Sequence, residues 1–179
     1  TLVGVLSADT SLHLPDYRSA ERTFQLLTQV SGRAGRHEKQ GEVIVQTYTP
    51  EHYAIELSKD QLYEPFYEQE MHNRRLAGYP PYYYLALVQV THEDVMVAAE
   101  YSGKVATYLR ENLSFNVSII GPTTASITRL QNRYRYQCLI KYRIEPNLIT
   151  VLLDLIKIYR SEWIKKGITL SIDLDPTMM

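Results

Sequence analysis

Arg133-Tyr134-Arg135-Tyr136-Gln137-Cys138-Leu139-Ile140-Lys141-Tyr142-Arg143 alternates with a period of two. Tyr134, Tyr136, Cys138, Ile140 and Tyr142 fall on one face, and Arg133, Arg135, Gln137, Lys141 and Arg143 on the other. A strand of this pattern asks for helices over its aromatic face and leaves a basic outer face, so it anchors an α+β reading. Working outward, strands are expected at about Tyr84–Thr91, Val117–Ile120 and Thr169–Leu174, with helices at about Asp94–Leu113 and Asn147–Lys166. Thr91 and Asp94 suggest a capping pair for the first helix, and Gly167 ends the second. The order βαββαβ is that of a ferredoxin-like split βαβ sheet with both helices on one side.

Pro80 and Pro81 mark the boundary before this pattern. Upstream, about Pro50 to Gly78 reads as helical, with a break near Lys59-Asp60 and with Arg74 and Arg75 complementing the dipole of the last turn. Earlier still, Leu2, Val3, Val5 and Leu6 form a short apolar run, the pattern of a strand buried on both faces of a parallel sheet. A helix from about Ser19 to Val30 and a strand Val43–Thr47 follow, giving a βαβ unit. One such unit is too small for a domain. The chain also opens without Met, inside an apolar run, which suggests a piece of something longer.

Composition narrows the function classes. The 179 residues are 45% hydrophobic, enough for a real core, and the net charge of -1 supplies no global field toward DNA or an anionic membrane. Any nucleic-acid contact must come from a local patch. One cysteine, Cys138, and five scattered histidines allow neither a disulfide framework nor a spaced metal site. No run approaches a membrane span, and a reducing cytoplasm is the simplest home. No Ser/His/Asp, Cys/His or carboxylate-pair arrangement for a self-contained enzyme is evident.

Chemistry concentrates in Gln29-Val30-Ser31-Gly32-Arg33-Ala34-Gly35-Arg36. On a helix, Gln29, Arg33 and Arg36 share a face, and Gly32 and Gly35 remove bulk beside each arginine. The plain alternative is a helix that ends in dipole-stabilising arginines and a glycine cap. The helix stands inside a parallel βαβ unit, where α/β proteins place ligand sites. A guanidinium there suits the charge on a transferring γ-phosphoryl group, an effect on the order of 10³ to 10⁵ in rate. In the last domain, the outer face carrying Arg133, Arg135, Lys141 and Arg143, with Arg129 upstream, is a candidate path for a phosphate backbone, against the alternative of an ordinary solvated face. Tyr82, Tyr83 and Tyr84 are a weaker stacking candidate, and Trp163 reads as core.

The Gln29–Arg36 stretch resembles the sixth helicase motif of superfamily 2 motors. Leu2–Asp9, Leu14–Arg36, Leu76–Tyr82, Arg133–Lys141 and the closing Ile172–Pro176 together resemble the PriA family of replication-restart helicases, the primosomal N′ proteins. That resemblance implies an α/β piece of a RecA-like motor lobe over residues 1–50, connecting helices over 51–80, and over 81–179 a C-terminal domain likened to a ribosomal protein fold. It implies a parent that is an ATP-dependent 3′→5′ DNA helicase reloading the replication machinery at stalled forks. By the same resemblance Gln29 and Gly32 would face the nucleotide, Arg33 and Arg36 would be catalytic, and Arg36 would be the arginine finger. ATP with Mg, and zinc in an upstream module, are then expected in the parent; no metal or cofactor is expected on this chain. Forked and single-stranded DNA, the single-stranded DNA-binding protein and other primosome proteins would be its partners. The sequence has no G-x-x-x-x-G-K-[ST] loop, so the chain alone is expected to be inactive. A non-enzymatic nucleic-acid-binding adaptor is the competing reading.

Overall fold

A computed structural model describes residues 2–34 and 41–177, with the backbone alone for residues 33 and 34. The chain divides into two compact units, residues 2–77 and 78–177.

In the first unit, β1 (Leu2–Val5) and β2 (Glu42–Val45) form a parallel pair, with Leu2 opposite Glu42 and Val5 opposite Val45. Between them run α1 (Asp9–Leu12) and α2 (Ser19–Ala34), and α3 (Tyr53–Lys59) and α4 (Tyr63–Ala77) follow. Apolar residues at helical spacing put Ala20, Phe24 and Leu27 of α2 inward. Phe24 stacks on Phe66 of α4 at 4.1 Å between ring centroids, and Ala54 of α3 completes this core. Val5 and Val45 pack against a second small cluster, Ala8, Leu27 and Ile55. The expectation that β1 is buried on both faces is corrected: Leu2 and Ile44 are exposed at 66% and 54%, because helices cover only the valine side of this pair. The Asp9 carboxylate ties the segments after the two strands together, accepting from the Thr47 and Thr49 hydroxyls and the Tyr48 amide. Burial alone would raise that carboxyl, but these three hydrogen bonds outweigh it and hold the group below its ordinary pKa.

The second unit carries β3 (Tyr84–His92), α5 (Val95–Asn112), β4 (Ser118–Leu130), β5 (Arg133–Tyr142), α6 (Leu148–Ile158) and β6 (Thr169–Leu174). The strands form one antiparallel sheet in the order β4-β5-β3-β6, the arrangement of a split βαβ sheet. Ala86, Val88 and Val90 of β3 and Cys138 and Ile140 of β5 meet Tyr101, Val105 and Leu109 of α5 and Val151, Leu152 and Leu155 of α6. Trp163 joins this core, edge-on to Tyr101 at 5.1 Å. Asp94, not Thr91, caps α5, its side chain accepting from the Met96 and Val97 amides. After α6 the chain makes a π-helical turn, Tyr159–Trp163, and a 3₁₀ turn, Ile164–Lys166, before Gly167 at φ 73° releases it into β6.

β4 is far longer than its expected four residues because two register shifts carry it past irregular stretches. At the first, Gly121 has φ 114°, and a Cβ there would lie 2.6 Å from the Gln137 carbonyl oxygen. Beyond the second, Gln131 and Asn132 both have positive φ, the two-residue turn that matches the twist of a hairpin and returns the chain into β5.

Candidate functional site

Two sets of residues were singled out by sequence, one on α2 and one on β5. The exposed Gln29 amide and the exposed Gly32 both lie near the C-terminal end of α2. A Cβ at Gly32 would meet nothing within 4 Å, so this side of the helix is open to approach. Thr23 and Ser31 turn their hydroxyls back to the Ser19 and Leu27 carbonyls, which keeps them from competing for the outer surface. Arg33 continues the helical backbone for one more residue pair. Arg36 lies outside the described residues.

Alongside α2, a groove of about 500 Å³ runs against α4, lined by Phe24, Thr28 and Gln29 on one side and Tyr63, Tyr67 and Met71 on the other. At its floor is a charge network that sequence reading missed. Arg74 is buried, with Nη2 2.6 Å from Glu21 Oε2 and Nε 2.7 Å from Glu70 Oε1. Glu70 also accepts the Tyr53 hydroxyl at 2.5 Å, and the Tyr17 ring lies 5.2 Å from the guanidinium. Burial works against the Arg74 cation, yet the two carboxylates more than offset it and its pKa is raised. The Tyr53 hydroxyl is also held well above its usual value, first by burial and then by Glu70. Glu21 and Arg74 are separated by 53 residues, so no local pattern could have paired them.

On β5 the two-face alternation holds for Cys138 and Ile140, which sit in the core. The outer face departs from the expectation of a solvated basic stripe. Lys141 is only 8% exposed, its ammonium 3.7 Å from the centroid of the Tyr79 ring. Desolvation lowers its pKa. Arg133 is half-buried, donating to the Thr91 and Gly167 carbonyls and to Thr169 Oγ1, with Glu93 3.8 Å away. Arg135 donates to Gln89 Oε1 and to the Ile127 carbonyl. Being second in the sheet, β5 has strands on both sides, and Thr91, Gln89 and Ile127 on them take up Arg133 and Arg135. Two arginines remain exposed: Arg129, over the Tyr134 ring and bonded to Asn132, and Arg143, over the Tyr83 ring at 4.6 Å.

Tyr84 is exposed at 56% and pairs with Tyr142 across the strands at 5.6 Å, while Tyr82 and Tyr83 are half-buried. Burial pushes the Cys138 thiol up to about 11, which leaves it protonated and unreactive at neutral pH. Among the described residues no group of three or more His, Cys, Asp or Glu is placed to hold a metal ion, and no helix is long and apolar enough to cross a membrane.

Comparison with known proteins gives these features a setting. The family model described as the primosomal protein N C-terminal domain matches residues 75–177. The chain is 57% identical over 179 residues to the replication restart protein PriA of Bacillus subtilis, covering 100% of this chain and 22% of that protein. It is 44% identical over 176 residues to the PriA of Synechocystis, covering 98% and 21%, and 31% identical over 176 residues to that of Chlamydia muridarum, covering 98% and 23%. The chain thus spans about a fifth of the length of these relatives.

Proposed function

This chain belongs to the PriA family of replication restart proteins, and from that premise we propose that it is the C-terminal part of an ATP-driven 3′→5′ DNA helicase. In this reading the parent reloads the replication machinery at stalled forks, in the cytoplasm, with forked and single-stranded DNA, single-stranded DNA-binding protein and primosome proteins as partners. The observation that carries it is the match to PriA relatives over the whole chain, joined to a helix that carries Gln29, Gly32 and Arg33, the opening of Q-x-x-G-R-x-x-R, between the two strands of a parallel pair.

The division of labour follows. Residues 1–50 are the end of the second motor lobe, 51–80 connecting helices, and 81–179 a DNA- and partner-binding domain. Gln29 and the open Gly32 surface face the nucleotide, and Arg33 and Arg36 supply charge to the γ-phosphoryl group. The chain's share would be one wall of a nucleotide site, with the loop that cradles phosphates supplied elsewhere in the parent, because this sequence has no G-x-x-x-x-G-K-[ST]. ATP with Mg would supply the transferable phosphoryl group in the parent, and a zinc module would lie upstream. DNA contact in the last domain rests on the two candidate arginines that are exposed, Arg129 and Arg143, with Arg133 and Arg135 reaching it only by exchanging their present partners.

The test is Arg36→Ala in the full-length protein, assayed by steady-state ATP hydrolysis with saturating forked DNA. A planar guanidinium gains most of its value as charge spreads in the transition state, so kcat should fall by more than tenfold while fork binding is kept. Retention of more than about a tenth of wild-type kcat, a loss under roughly 1.4 kcal/mol, would return Arg36 to a helix-capping role.

A further inference from the structure

We propose that Arg74 is a positioning residue that makes α2 and α4 move as one body, so that load on the second unit is felt at the nucleotide-facing end of α2. The inference rests on the motor reading above.

Four observations carry it. The Arg74 guanidinium holds two carboxylates from different helices at once, Glu21 in the first turn of α2 and Glu70 on α4. The fork is boxed in: Tyr17 lies against it, and the second Glu70 oxygen is occupied by Tyr53, so Glu70 is held from α3 as well. A planar cation engaged on two sides fixes the direction of each partner as well as its distance. Glu21 and Arg33 are twelve residues apart on a single unbroken helix, about 18 Å along its axis, so a small rotation at the clamp displaces the far end more than the near one. Finally, Arg74 stands in the last turn of α4, which ends at Ala77 where the second unit begins. A force along the chain from that unit enters the first through this turn.

The experiment uses the full-length protein and measures ATP hydrolysis without DNA and with saturating forked DNA. Glu21→Gln is the main variant, because it loosens the α2 side of the clamp while leaving the buried Arg74–Glu70 pair intact. It should keep DNA-free hydrolysis within twofold and fork affinity within twofold, yet lose at least fivefold in DNA-stimulated rate. Arg74→Lys keeps the charge without the fork and should fall between Glu21→Gln and wild type in stimulation. A thermal melt of each variant reports folding separately. Equal proportional losses with and without DNA would make the clamp a stabilising contact only and overturn the proposal, as would full stimulation in Glu21→Gln. Wild-type protein without any DNA-stimulated hydrolysis would sink the motor reading itself, and this proposal with it.

Discussion

The Lys141 ammonium and the Tyr79 ring form a buried cation–π pair, 3.7 Å from nitrogen to ring centroid. A cation held this way is withdrawn from solvent and from any phosphate chain passing over the sheet. Its neighbour in sequence parity, Arg143, is exposed and only rests on Tyr83. Fork binding by the full-length protein should therefore separate the two. Lys141→Met should leave both the affinity and its salt dependence unchanged, whereas Arg129→Ala with Arg143→Ala should weaken binding and flatten the slope of log K against log salt by about one for each phosphate no longer neutralised. A flattened slope for Lys141→Met would show that Tyr79 releases it on binding.

Arg33 is expected to touch the nucleotide already in the ground state. Arg33→Ala in the full-length protein should raise KM for ATP as well as lower kcat, in contrast to the kcat-dominated loss at Arg36. An ATP titration with saturating DNA reads both. The 179-residue chain by itself should show no DNA-stimulated hydrolysis; turnover that co-purifies with it and survives removal of contaminants would contradict the single-wall reading.

Glu145 fastens the loop after β5 to the end of α5. Its carboxylate receives the Ser114 hydroxyl at 2.5 Å and the Ser114 and Asn147 amides, and the Ser114 hydroxyl is the main reason its pKa lies below the ordinary value. A carboxyl depressed in the folded state adds stability above its unfolded pKa of about 4.3, and that share drains away as pH falls through the folded value. Glu145→Gln should lower the melting temperature by several degrees at pH 7, and the gap to wild type should narrow progressively as pH falls below about 4. A gap independent of pH would mean that the loop is held by something other than this charge.

Gly121 should tolerate no side chain. With φ at 114° and the Gln137 carbonyl 2.6 Å from any Cβ, Gly121→Ala must distort the β4–β5 pairing and should cost more than about 1 kcal/mol. Gly103 is the control. It lies within α5 with nothing inside 4 Å of a Cβ, so Gly103→Ala should stabilise by up to about 1 kcal/mol. Chemical unfolding of the two variants side by side decides the point.

What the sequence made legible was local. Gly78 and Gly167 stop their helices because each takes the left-handed conformation, and the alternation in β5 correctly sent Cys138 and Ile140 inward. What escaped was set by distance along the chain. Tyr79 lies far upstream of Lys141, and nothing near Lys141 in sequence announces the ring. The length of β4 escaped for a different reason, since register shifts break the period on which strand recognition depends. The Gln29–Arg36 motif was visible as a pattern, while the Glu21–Arg74 pairing depends on a helix that begins some forty residues after Glu21.

The uncovered side of the β1–β2 pair, with Leu2, Leu6 and Ile44 facing outward, bears on how the chain behaves in a test tube. A flat apolar patch beside an open strand edge is a template for self-association. Recovery of the chain by itself should fall as it is concentrated, and ammonium sulfate should bring it out of solution early by strengthening apolar contact. Exchanging Ile44 for threonine, which keeps a β-branched side chain on the strand while adding a hydroxyl to its bare face, is the smallest change that should extend its shelf life.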